Sequence, residues 1–150
     1  MPTFRLATLV PASAEDCFDL SLSVDAHVAS MGRSDEQAVR RPAGGLLGPG
    51  DEVTWRARHF GLPFTMTSAI TAFDRPVRFV DEQQRGPFAA WWHEHTFTAG
   101  DSGTTLMTDT IRYAAPLGPL GRLAERAVLD RYLPRLLAER NEWLRRELST

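Results

Sequence analysis

The sequence predicts an α+β fold in which a curved antiparallel β-sheet is wrapped around one long C-terminal α-helix, with two short helices after the first strand. Three observations support this prediction. The chain opens with a strand-like segment that is followed by two short helical segments. Between about residue 51 and residue 115, apolar side chains recur with period two, which is typical of half-buried strands. From residue 119 to residue 148 they recur with the period of an amphipathic helix.

Length and composition predict one ordinary globular domain over residues 1–150. Hydrophobic residues make up 43% of the chain and charged residues 24%. The net charge of -2 argues against a nucleic-acid partner. No apolar stretch approaches the ~20 residues that a membrane-spanning helix needs, so we expect no membrane insertion.

Two features bear on the cellular compartment. The single cysteine, Cys17, excludes an internal disulfide and suits a reducing environment. The first segment, MPTFRLATLV, lacks a basic region followed by a long apolar run, so it predicts no signal peptide. We therefore expect a cytoplasmic protein.

The N-terminal elements are predicted from alternation and capping residues. TFRLATLV reads as a strand that Pro11 ends, and its alternate side chains share one face: Phe4, Leu6, Thr8 and Val10. Ser13 is placed to cap a helix over SAEDCFDLSL. A second short helix, DAHVASM, is predicted to begin at Asp25.

The middle of the chain predicts a meander of four or five strands. DEVTWRARHF places Val53, Trp55, Ala57 and His59 on one face. FTMTSAITAF, VRFVDEQQR, the WWHEH segment and TTLMTDTIRYA continue the pattern. The turns between these strands are predicted at Gly61–Pro63, Arg75–Pro76, Gly86–Pro87 and residues 100–103. A strand within residues 33–41 is only weakly indicated, and RPAGGLLGPG after it is loop.

The C-terminal segment predicts one helix with a kink at Pro134, because proline removes a backbone hydrogen bond and clashes with the preceding turn. Its apolar stripe comprises Leu120, Leu123, Ala127, Val128, Leu133, Leu136, Leu137, Leu144 and Leu148. Only the sheet offers enough surface to bury that stripe, so the predicted architecture is a helix-grip. Gly118, Gly121 and Pro134 are predicted flexible points through which the interior could open.

The last two strands determine which way two histidines point. Met107, Ile111 and Tyr113 share a face with Asp109, and this mainly apolar face is expected to meet the helix. On the preceding strand the corresponding set is Phe88, Trp91, His93, His95 and Phe97. A five-residue loop over 100–104 would place His95 opposite Asp109 and His93 opposite Ile111. A His95–Asp109 hydrogen bond is therefore predicted, with His59, Asp81 and Gln83 facing the same space.

Three segments resemble the SRPBCC superfamily of START and Bet v 1-like proteins: GPFAAWWHEHTF, TTLMTDTIRY and GPLGRLAERAVLDRYLPRLLAERNEWL. The sequence is most similar to the bacterial branch of ligand-binding and polyketide cyclase/dehydrase-like proteins, over essentially the whole chain. The compound pattern of H-x-H after G-P-F, with Asp109 after T-x-M-T, carries the resemblance. It implies a deep, mainly apolar cavity between sheet and helix, but no single reaction.

The first functional hypothesis is therefore the binding of a small apolar molecule that is aromatic, polyketide-like or lipid-like. The predicted ligand-binding residues are Trp55, His59, Gln83, Phe88, Trp91, His93, His95, Met107, Asp109 and Tyr113. A second hypothesis is a cyclase/dehydratase-type enzyme in which His95 is the general base and Asp109 orients it. A third is a structural or interaction protein with a filled core, which would include a homodimer formed through the sheet edges or through Trp92.

The H-x-H pattern also raises the question of a metal site. Both imidazoles lie on one strand face, and Asp109 or His59 could supply a third ligand. A Glu a few residues further on, which the cupin pattern would require, is missing from TFTAGDSG. The sequence therefore predicts no metal and no cofactor.

Overall fold

The computed structural model describes residues 1–149 and has the predicted α+β architecture. Seven strands form one antiparallel sheet in the order β1-β7-β6-β5-β4-β3-β2. The strands are β1 (Thr3–Val10), β2 (Gln37–Arg40), β3 (Glu52–His59), β4 (Leu62–Asp74), β5 (Arg78–Arg85), β6 (Ala90–Ala99) and β7 (Thr105–Ala114). The helices are α1 (Ala14–Ser21), α2 (Val24–Ser30), α3 (Gly118–Ala124) and α4 (Asp130–Leu148), and a π-helical turn (Glu125–Leu129) joins the last two.

Serine caps determine where the two short helices begin. The Ser13 hydroxyl accepts a hydrogen bond from the Asp16 backbone N–H at 3.1 Å, as the sequence predicts. Ser23 does the same for the Ala26 backbone N–H, also at 3.1 Å. The second helix therefore begins at Val24, one residue before the predicted start, because a serine oxygen supplies the cap.

Two irregularities modify the predicted strands. The β3–β4 reversal falls on Phe60 and Gly61, whose φ angles of 55° and 75° are left-handed. Pro63, predicted to lie in that turn, instead pairs with Arg58 in the sheet. Further along β4 the register shifts through a bulge after Ile70, which breaks the two-residue alternation.

One half of the core is built around Phe18 of α1, which is fully buried. Its ring packs edge-on against Phe73, Phe79 and Phe97, with centroids 5.3–5.4 Å apart. Cys17, beside it, is also fully buried, and burial raises the pKa of its thiol. These contacts fasten α1 to the inner face of the sheet at the end away from α3.

The C-terminal helix runs from α3 to the end of α4, but it departs from regular geometry upstream of the predicted position. The π-helical turn lies one to two turns before Pro134, which sits inside α4. Gly121 packs closely on the preceding loop, because a Cβ there would lie 2.0 Å from the Pro116 carbonyl oxygen. None of the helices in the described part of the chain has the length and apolar composition to span a bilayer.

The apolar stripe of this helix is buried only in its second half. Leu133, Leu136, Leu137 and Leu144 are buried as predicted. In contrast, Leu120, Leu123 and Val128 are 69%, 64% and 43% exposed. The expectation that the sheet covers the whole stripe is therefore wrong, because α3 lies over an opening in the interior rather than on packed side chains.

Candidate functional site

A cavity of about 410 Å³ lies between the inner face of the sheet and the C-terminal helix. Most of its wall is apolar. The sheet contributes large side chains such as Trp55, Phe64, Met66 and Trp91, and α4 contributes Leu133, Leu136 and Leu137. A few polar groups interrupt this wall, and the largest group of them lies on β5 and β6.

Strand register brings two histidines and two aspartates together in what we call the His–Asp cluster: Asp81, His93, His95 and Asp109. His95 is paired with Asp109 and His93 with Ile111 across β6 and β7, so the register predicted from the five-residue loop is confirmed. On the other side, Asp81 of β5 is paired with His93. Because all four residues occupy the inner face of adjacent strands, their side chains meet.

The hydrogen bonds within the cluster differ from the predicted His95–Asp109 pair. The shortest Asp109 contact is with His93, whose Nε2 lies 2.7 Å from Oδ1. His95 Nε2 instead lies 2.8 Å from Asp81 Oδ2, and His95 Nδ1 is 3.3 Å from Asp109 Oδ1. The two imidazole rings stack with centroids 3.7 Å apart. Because the rings are stacked, each histidine lies close to both carboxylates. The two aspartates are therefore shared by the two histidines and do not form two separate His–Asp pairs.

The pKa values in the cluster reflect competition between burial and pairing. Burial alone would raise the pKa of Asp81, but the charges of His93 and His95 and the His95 hydrogen bond outweigh it and lower that pKa to about 2. The pKa of Asp109 is likewise well below its ordinary value, since bonds to both histidines outweigh burial. Burial and the neighbouring His95 lower the pKa of His93. For His95, burial is outweighed by bonds to Asp109 and Asp81, and the pKa is raised.

Two residues of α4 complete the surroundings of Asp109, and the sequence analysis missed both. Asn141 Nδ2 donates to Asp109 Oδ2 at 2.7 Å. Arg140 Nη1 lies 3.3 Å from Asp109 Oδ1 and donates to Asn141 Oδ1 at 2.9 Å. Both side chains are buried. The available signal was the position of Arg140 inside the apolar stripe, between Leu137 and Leu144, where an unpaired charge would be costly.

Two smaller polar pairs lie elsewhere on the cavity wall. His59 Nδ1 is hydrogen-bonded to the Tyr132 hydroxyl at 2.5 Å, and burial lowers the pKa of this histidine. His27 Nε2 lies 2.6 Å from Glu36 Oε1. The His27 ring also packs on Trp55, with centroids 4.1 Å apart. Of these residues, only Trp55 and His59 were predicted, because α2 and the segment after it carry no pattern that points inward.

Six of the ten predicted ligand-binding residues line the cavity: Trp55, His59, Phe88, Trp91, His93 and His95. The other four do not. Gln83 holds the loop before β6 through both backbone groups of Phe88. Met107 lies in the core, and Tyr113 donates a hydrogen bond to Asp130. Asp109 sits behind cavity-lining residues that it contacts, which are His93, His95 and Arg140.

Comparison with solved structures agrees with this architecture. A START superfamily protein from Mycobacterium smegmatis matches with a TM-score of 0.75 and 16% identity, over 97% of this chain and 98% of that one. The Zhui aromatase/cyclase from a Streptomyces species matches with a TM-score of 0.79 and 15% identity, over 99% and 93%. A major latex-like protein from Panax ginseng matches with a TM-score of 0.68 and 14% identity, over 98% and 97%.

No family model matches the sequence, and no curated protein matches it. The similarity therefore lies in the backbone fold, and it extends along nearly the whole chain. The protein thus shares the helix-grip fold of these structures, the fold that its sequence predicted.

Proposed function

We propose that this protein binds a small apolar molecule in the cavity, with the His–Asp cluster as its principal polar contact. The observation that carries the proposal is the cavity itself. Its volume of about 410 Å³ lies within the range of small-molecule sites, ~300–1,000 Å³. Such sites combine an apolar wall with a few polar groups that orient the guest.

The arrangement of the wall supports an aromatic or otherwise flat, apolar guest. Trp55 and Trp91 offer large ring faces, and Phe79 stacks on His95 with centroids 4.1 Å apart. Within residues 1–149 every buried side-chain nitrogen or oxygen has a hydrogen-bond partner. The buried polar groups are therefore satisfied by the protein itself, and an apolar molecule can occupy the cavity without supplying hydrogen bonds to them.

A cavity of this size argues against the filled-core alternative. The outer-face residue Trp92, which would favour an interaction surface if exposed in an apolar patch, is partly covered by the Arg112 guanidinium, 4.7 Å from the ring centroid. The first observation favours a small molecule in the interior, and the second disfavours a protein partner on the outer face at Trp92.

The proposal is tested with an uncharged fluorescent probe, N-phenyl-1-naphthylamine, added to the purified protein. Ala57, on the cavity wall, is replaced by phenylalanine, and the matched control is Ala7→Phe on the exposed face of β1. We expect wild type and Ala7→Phe to bind with similar affinity and Ala57→Phe to bind at least about tenfold more weakly, because the new ring occupies cavity volume. Equal binding by both variants, or none by the wild type, would contradict the proposal.

Acid–base catalysis on the bound molecule is a second candidate function, and the 2.7 Å contact between His93 and Asp109 favours it. The sequence assigned the base to His95 with Asp109 as its orienting group. In the structure, the carboxylate closest to His93 is that of Asp109, and the carboxylate closest to His95 is that of Asp81.

This candidate is tested by NMR, through the exchange of the α-protons of α-tetralone in D₂O. An enzyme of this kind accelerates the exchange; His93→Gln and His95→Gln each abolish most of the acceleration, and Glu82→Gln, which does not line the cavity, retains it. If wild-type protein leaves the exchange at its uncatalysed rate, or if Glu82→Gln behaves like the other two variants, the catalytic assignment fails.

A further inference from the structure

Three donor atoms of the His–Asp cluster converge on one point at the cavity wall. One potential ligand atom from each of Asp81, His93 and His95 lies within 4.8 Å of the other two. Asp81 Oδ2 is 2.8 Å from His95 Nε2 and 3.6 Å from His93 Nδ1. Ligands bonded to one ion at ~2.0–2.2 Å lie about 3.0–3.6 Å from each other, which is close to these two separations. To bind one ion, the two stacked rings would tilt so that their in-plane lone pairs point to a common position.

The opposite side of each imidazole is held by Asp109. Its Oδ1 lies 2.7 Å from His93 Nε2 and 3.3 Å from His95 Nδ1. Metal-bound histidines almost always donate their second ring N–H to a carboxylate or carbonyl, which sets the tautomer and the ring orientation. Asn141 in turn fixes Asp109 from α4. One buried carboxylate therefore orients both histidines with their other nitrogens turned toward Asp81.

The cluster is also open on the side that a guest would approach. Asp81, His93 and His95 line the cavity, whereas Asp109 does not. We propose that Asp81, His93 and His95 form a binding site for a divalent transition-metal ion such as zinc or iron(II), with free coordination positions directed into the cavity. Two imidazoles and one carboxylate favour such ions over magnesium or calcium, which prefer oxygen ligands only.

This inference goes beyond the proposed function and departs from the sequence prediction of no metal. The sequence placed the third ligand at Asp109 or His59. In the structure, Asp109 lies behind the histidines and His59 is bonded to Tyr132. The third ligand comes from β5, the strand paired with β6, which the H-x-H motif by itself does not indicate.

The test uses protein without an affinity tag, stripped with EDTA and titrated with Co²⁺ while its visible absorption is recorded. We expect one Co²⁺ per chain, displaced by Zn²⁺. Asp81→Asn lowers the affinity for Co²⁺ by at least about tenfold, because even the loss of a residue that only hydrogen-bonds to a metal ligand has an effect of that size. The matched control is Glu82→Gln, since Glu82 is the next residue on β5, bonds Thr71 and does not line the cavity.

A second measurement does not depend on any variant being folded. The chain has four histidines, and their imidazole resonances are followed during Zn²⁺ addition to wild-type protein. Shifts confined to His93 and His95, with His27 and His59 unchanged, support the site. No Co²⁺ uptake, equal affinity in Asp81→Asn and Glu82→Gln, or shifts confined to other histidines would overturn it. The naphthylamine experiment is performed on EDTA-treated protein. Its result therefore does not depend on whether the protein binds a metal ion.

Discussion

Replacement of Asp109 by asparagine is expected to lower the free energy of unfolding by about 3–5 kcal/mol, the size found when one partner of a buried ion pair is removed. Asp109 is 2% exposed and accepts from His93 and Asn141, with His95 and Arg140 at longer range. The asparagine amide keeps the shape and one acceptor oxygen, but it carries an NH₂ donor group where the carboxylate has its second acceptor oxygen. It would face other donors and leave the Arg140 charge without a buried counter-charge.

The measurement is denaturant unfolding followed by circular dichroism, with Asp74→Asn as the matched control. Asp74 is an exposed aspartate at the end of β4, and its replacement should change the free energy of unfolding by no more than about 0.5 kcal/mol. A change below about 1 kcal/mol for Asp109→Asn would mean that the cluster is not a connected network, since surrounding groups would then tolerate the loss of its central acceptor.

Backbone amides at residues 122–129 are expected to exchange with solvent at least about 100-fold faster than those at 136–144. Both segments belong to the C-terminal helix, yet only the second packs on the core through Leu136, Leu137 and Leu144. The first exposes Leu123 and Val128 and contains the π-helical turn. Its contacts with the rest of the fold include the hydrogen bond that Glu125 accepts from the Ala115 backbone N–H at 2.7 Å, and the packing of Leu129 on the core. Few buried contacts permit local opening without global unfolding.

Hydrogen exchange read by mass spectrometry separates the two segments directly. Because α3 covers part of the cavity, saturating naphthylamine probe should slow exchange at 122–129 and leave 136–144 unchanged. Equal protection of the two segments in the free protein would count against α3 as the element through which a guest enters. The same experiment tests whether the flexible points predicted at Gly118, Gly121 and Pro134 open the interior.

Local pattern was enough to predict most of the strands and, in β6 and β7, the direction of their side chains. Alternation along β6 and β7, together with the loop over 100–104, predicted that His95 faces Asp109 and that His93 faces Ile111, as observed. This works because a hairpin register depends on a short loop and on which alternate face is apolar, and both are local properties. Ser13 and the amphipathic C-terminal segment were identified for the same reason.

Contacts between elements distant in the chain were decided only by the tertiary structure. The sequence could not assign His95 to Asp81 or His93 to Asp109, because that choice depends on sheet twist and on stacking of the two rings. It could not place Arg140 and Asn141 beside Asp109, since the position of α4 over the sheet results from packing of the whole core. Periodicity determined which faces are inward, whereas the packing of those faces determined which polar groups meet at the cavity wall.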